Sequence, residues 1–147
     1  MVYLITIKKE FDYRVKRIEP NVYEIELRDK GIKGRLVIYS IVTNIYERED
    51  QREELEDRLL IKYNISVGFR NLGERKPPVG TEESSVVDVL DKLKVVSEPF
   101  TEYELDNGMI LRTKFIPTHI YLHGGKRDEV GDPIFTVKGS MLLSLTH

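Results

Sequence analysis

Residues Ile18–Tyr46 read IEPNVYEIELRDKGIKGRLVIYSIVTNIY, and residues Ser97–Tyr121 read SEPFTEYELDNGMILRTKFIPTHIY. In the first stretch Val22, Glu24 and Glu26 alternate with Tyr23, Ile25 and Leu27, the period of two that sends successive strand side chains to opposite faces. Arg28–Gly31 reads as a turn whose glycine tolerates positive φ. Ile32–Tyr46 follows as a long run of Ile, Val, Tyr and Thr, residues that suit a pleated, half-buried surface. The second stretch repeats this plan. Tyr103–Leu105 leads into Asp106-Asn107-Gly108, and Asn-Gly is the pair a two-residue type I′ turn prefers. Met109–Leu122 is then a second long strand, with a bulge or an edge position expected at Pro117.

Aligned with three short gaps, the two halves match at ten positions. Glu19-Pro20 meets Glu98-Pro99, and Glu26-Leu27 meets Glu104-Leu105. Gly31 meets Gly108, Arg35 meets Arg112, and Thr43 meets Thr118. Ile45-Tyr46 meets Ile120-Tyr121, and beyond a charged connection Asp57 meets Asp132. The period of about 75 residues exceeds the ~20–50 of solenoid repeats, so it predicts a tandem pair of small β units.

Working outward, Val2–Ile7, Leu59–Phe69 and Ile134–Leu145 also read as strands. Glu47–Arg58 is almost wholly charged and reads as a solvated loop or a short exposed helix. His123–Asp132 is polar and glycine-rich, hence a loop. Asn71–Thr81, with Pro77, Pro78 and two glycines, is the linker. One helix is expected over 82–94: Val86, Val89, Leu90, Leu93 and Val96 recur at helical spacing, and Ser85 with Asp88 suits a capping box. Its apolar face is expected to pack on a sheet. The predicted class is α+β, mainly β, with a first unit over 1–75 and a second over 76–147, the latter comprising linker, helix and a meander over 95–147.

The composition of the 147 residues narrows the chemistry. There is no cysteine, which excludes disulfides, thiolate metal sites and cysteine nucleophiles. No stretch approaches the ~20 apolar residues of a membrane span, and charges come too early for a signal peptide, so a cytoplasmic location away from membranes is expected. A single glutamine, Gln51, among many Glu, Lys and Arg fits a hot environment. The formal net charge is −2. It divides into +1 over residues 1–75 and −3 over 76–147, too little asymmetry to draw nucleic acid or anionic lipid to one half.

Local motifs for catalysis are weak. His119 and His123 are four residues apart, but along a strand that is ~13 Å, too far to share an ion. His147 is terminal. His123-Gly124-Gly125-Lys126-Arg127 offers glycines and cations to a phosphate but lacks the spacing of a P-loop and precedes no helix, so it reads as an exposed turn. The carboxylate pairs Glu53-Glu54, Glu56-Asp57, Glu82-Glu83 and Asp128-Glu129 lie in the most polar segments, where solvation keeps carboxylates ordinary. Ser84-Ser85 reads as a helix start. The best basic–aromatic stretch is Lys8, Lys9, Phe11, Tyr13, Arg14, Lys16 and Arg17. The expectation is therefore a non-enzymatic binding or scaffold protein without cofactor or metal. It would act through sheet edges and faces on a protein partner or on itself, a homodimer being favoured. The alternative is a single-stranded nucleic-acid binder using Lys8–Arg17. A third reading is a small enzyme using His119 or His123.

Overall fold

Tyr23, Ile25 and Leu27 point into the protein and Glu26 points out, as their alternation requires, in the computed structural model, which describes residues 4–49, 54–78 and 85–147. The strands are β1 (Ile7–Phe11), β2 (Tyr13–Arg17), β3 (Asn21–Leu27), β4 (Ile32–Arg48) and β5 (Leu59–Asn71), then β6 (Ser85–Asp88), β7 (Lys94–Ser97), β8 (Thr101–Leu105), β9 (Ile110–Arg127) and β10 (Pro133–Thr146). The fold is α+β and mainly β, with two five-stranded antiparallel sheets.

Each sheet is organised on one long strand. In the first, β5 runs along one edge of β4, while β3 and β1 share the other edge at opposite ends, pairing with 32–38 and 45–48. In the second, β10 runs along β9, and β8 and β6 share its other edge in the same way, at 110–113 and 121–124. The outermost places are exchanged. β2, from the first half, pairs with β8, setting Val15 opposite Tyr103, and β7, from the second half, pairs with β3, setting Tyr23 opposite Val95. The halves thus share a plan, and each completes the other's sheet.

The core is double. Tyr23, Ile25, Leu36 and Ile38 of the first sheet pack with Phe115, Ile120 and Leu122 of the second. Phe11, Val42 and Ile45 pack with Tyr103, Leu105 and Leu111. Each cluster joins one half of β4 to the opposite half of β9, because strands this long outrun a single core. Both long strands break register at a bulge that leaves one residue unpaired, Thr43 in β4 and Thr118 in β9. Each threonine hydroxyl donates to the carbonyl of a lysine across the ladder, Lys62 at 3.2 Å and Lys138 at 3.3 Å.

The helix expected over 82–94 does not form. Residues 82–84 lie outside the described residues, as do 79–81 of the linker. Ser85–Asp88 is strand, Leu90–Lys92 is one 3₁₀ turn, and Lys94–Ser97 is strand again. Of the positions at helical spacing Val89 is buried, Leu90 and Leu93 are half-buried, and Val86 and Val96 are exposed. Pairing of Val86 and Val87 with His123 and Leu122 holds this segment extended, a tertiary ladder overriding a local pattern. Asp88 makes no capping box with Ser85; its Oδ1 accepts the N–H groups of Leu90 and Ile120. Among the described residues the only α-helix is one turn, α1 (Leu55–Arg58), inside the charged connection. Glu47 is not part of that connection's solvated face. It ends β4, is buried, and its carboxylate meets Arg58 at 3.1 Å and Lys8 at 3.7 Å. Of the expected first strand, residues 1–3 lie outside the described residues, and pairing begins at Ile7.

Candidate functional site

The Lys8–Arg17 stretch is divided between the two sheets, and its aromatics face inward. Phe11 belongs to the second core cluster, and Tyr13 lies edge-on to Tyr103 (5.6 Å between centroids) with its hydroxyl donating to the Val42 carbonyl at 2.8 Å. Neither presents a free face to a base. Four of its cations are paired: Lys8 with Glu47, Lys9 with Asp106, Arg14 with Glu104 and Arg17 with Glu19. Lys16 is exposed. The stretch therefore stitches β1 and β2 into their sheets.

His119 and His123 both lie on β9 and are served by different partners. His119 Nδ1 is 2.9 Å from Asp88 Oδ2, and its ring stacks on Tyr121 with centroids 5.4 Å apart. The imidazole beside it, with the two backbone N–H groups, holds the Asp88 carboxyl below the usual carboxylate range. His123 Nε2 lies 2.6 Å from Thr136 Oγ1. Both histidines are solvent-facing, and among the described residues no nucleophile contacts the His119–Asp88 pair. Among the described residues no group of three or more His, Asp or Glu is placed to hold a metal ion. Of the carboxylate pairs, Glu53, Glu82 and Glu83 lie outside the described residues. Asp128 accepts the N–H groups of Val130 and Asp132 and so shapes the turn between β9 and β10. No described helix is long and apolar enough to cross a membrane.

The feature that stands out is the pair of long edges. β5 has 13 residues and β10 has 14, and among the described residues each has a ladder partner on one side only. Their inward side chains are apolar, Ile61, Tyr63, Ile65 and Phe69 on β5 and Val137, Met141 and Leu143 among those on β10, yet all remain half-buried. The two strands meet through side chains: Phe69 packs on Phe135 with centroids 5.2 Å apart, and Asn71 Nδ2 donates to Asp132 Oδ1 at 3.0 Å. No backbone ladder joins them. Beside this contact lies an open hollow of about 430 Å3 walled by Val67, Phe69, Pro133 and Phe135. At Gly68 even an added Cβ meets nothing within 4 Å. The alternating sequence predicts strands here, but it carries no mark of which edge a strand leaves open. Compared with family models, with curated proteins and with solved structures, the chain has no match.

Proposed function

We propose that the chain is a non-enzymatic binding and scaffold protein that associates with a second copy of itself along the free edges of β5 and β10. The observation that carries this reading is the coincidence of two long strands, each laddered on one side, with a continuous half-buried apolar row beside them. An edge of that length, ~45 Å, offers a series of main-chain donors and acceptors to an added strand, and the apolar row gives the added strand something to cover. Proteins that leave such edges bare guard them with lysine, proline or charge. Here Lys62 and Lys138 lean back over their own sheets, on the rings of Tyr46 (5.4 Å) and Tyr121 (5.6 Å). Pro133 protects only the first residue of β10.

Native mass spectrometry of the purified chain tests this directly. The expected result is a dimer that persists on dilution and is converted to monomer by Val67→Lys, a change on the exposed part of the row that leaves the melting temperature within a few degrees. A monomer at every concentration would overturn the reading.

A further inference from the structure

His123–Arg127, composed like an exposed loop, is the bulged end of β9. Against β10 the register jumps from Leu122 opposite Phe135 to Arg127 opposite Pro133, so four residues of β9 face one of β10. Gly125, at φ 81°, takes the turn that an L side chain resists. The bulge places Lys126 and Arg127 on the wall of a pocket of about 190 Å3. Two more cations reach it from distant segments, Lys30 from the turn after β3 and Lys76 from the chain after β5. Ile32, Leu122 and Pro133 supply apolar lining, and His123 stands at the side.

Among the described residues no carboxylate lines the pocket, and Lys30, Lys76 and Lys126 form no ion pair. Of the acids nearby, Asp132 bonds Asn71 and Arg75, and Asp128 bonds the backbone of its own turn. The Glu74 carboxylate lies against Gly31. Arg127 is aimed by neutral groups, its Nη1 donating to the carbonyls of Glu74 at 3.0 Å and Gly131 at 3.2 Å, so its charge is positioned but not neutralised.

The three segments are also tied to one another. Lys76 N–H donates to Gly131 O at 3.1 Å and Glu74 N–H to Gly31 O at 3.2 Å, stitching together the three segments that bring the cations. Gly131, at φ 85°, packs so tightly on Lys76 that a Cβ would lie 2.7 Å from its carbonyl oxygen. Collecting like charges in one place costs Coulomb energy that a bound anion recovers. The side-chain-free Gly124-Gly125 backbone permits close approach, and a guanidinium with ammonium groups is the donor set that suits phosphate oxygens.

We propose that this pocket binds a phosphate-class oxyanion bearing more than one negative charge, as free pyrophosphate or as the terminal phosphates of a small phosphorylated molecule. The site does not depend on the dimer proposed above. The test is a titration of the full-length protein with pyrophosphate at low salt, followed through backbone amide resonances. Saturable shifts centred on Gly124, Gly125 and Lys126 are expected. The double variant Lys76→Gln/Lys126→Gln, whose spectrum elsewhere should be unchanged, is expected to bind roughly tenfold or more weakly. A parallel titration with ADP separates the two sources. Equal affinity places recognition on the phosphates alone, whereas tighter binding with added shifts at Ile32 and Leu122 assigns the apolar lining to the organic part; both uphold the site. Absence of saturation, or equal binding by the double variant, overturns it. A single-stranded oligonucleotide that binds more tightly than pyrophosphate and is lost in the same variant would also overturn it, reassigning the pocket to a nucleic-acid backbone.

Discussion

Beside the bulge at Thr43, the buried Tyr103 of the opposite sheet accepts the N–H of Val42 on its hydroxyl at 3.0 Å; beside the bulge at Thr118, the residue in Val42's place is Pro117, which has no N–H to give. Tyr23, which faces Leu36 across its ladder as Tyr103 faces Leu111, therefore bonds differently. Its hydroxyl donates to Glu98 Oε2 at 2.6 Å and accepts from Asn21 Nδ2, and it is Asn21 that reaches across to β9, at the carbonyl of Phe115. One absent hydrogen in β9 thus accompanies a different pair of partners around the same buried ring. The residue after each bulge diverges too. Asn44 donates to Glu10 of β1 at 3.2 Å, whereas His119 meets Asp88 of β6 at 2.9 Å. The plan is held by the backbone, and the side chains settle local accounts with whatever donors the sequence leaves them.

The comparison is broken most forcefully at the cores. Leu36→Ala in one cluster and Leu111→Ala in the other are both expected to cost about 2–5 kcal/mol, because each side chain is fully buried and leaves a cavity. Urea unfolding should return similar values, and a tolerant site would show that the two cores are unequal. Next come the tyrosines. Tyr103→Phe strands a buried N–H and is expected to cost about 1–3 kcal/mol, while Tyr23→Phe leaves Asn21 still bound to β9 and should cost only about 1 kcal/mol.

Alkaline unfolding sharpens the same contrast. Burial first, and then the hydrogen bond to Glu98, push the Tyr23 hydroxyl above its ordinary value of 10.0. A group raised in the folded state lends stability that is intact below pH 10 and lost as the pH climbs beyond it. The native protein should therefore weaken more steeply above pH 10 than Tyr23→Phe does. The smallest effect is at His119→Asn, which copies the first bulge into the second. With the imidazole gone, the Asp88 carboxyl should titrate closer to 3.8. Its lowered value lends stability that is present above 3.8 and fades as the pH falls, so the variant should lose less on acidification. Carboxyl carbon resonances would follow both changes.

Much of this could be read in advance. The alternation of Asn21–Leu27 and the strand-forming runs Ile32–Tyr46 and Met109–Leu122 are obeyed by the backbone; a turn does form at Asn107-Gly108, but only Gly108 takes a positive φ, so it is not the type I′ turn that Asn-Gly suggests. The matched Thr43 and Thr118 fall on the two bulges. The two strands found in place of the helix expected over 82–94 have four residues each, too short to display a period of two, and the spacing of Val86, Val89, Leu90 and Leu93 resembles a helix by chance. The pocket was half legible. Gly124-Gly125-Lys126-Arg127 is visible as a motif, but Lys30 and Lys76 join it only through pairings that no local pattern encodes. The inward turn of Phe11 and Tyr13 was hidden for the same reason, since β1 and β2 take their neighbours from strands far along the chain.

The exchanged places of β2 and β7 also bear on how the protein is made. A ribosome adds residues at ~5–20 per second, so β3 waits several seconds with its outer edge bare before Lys94–Ser97 emerges to cover it. β2 waits in the same way for β8. The first sheet is therefore not complete until Lys94–Ser97, from the second half, pairs with β3.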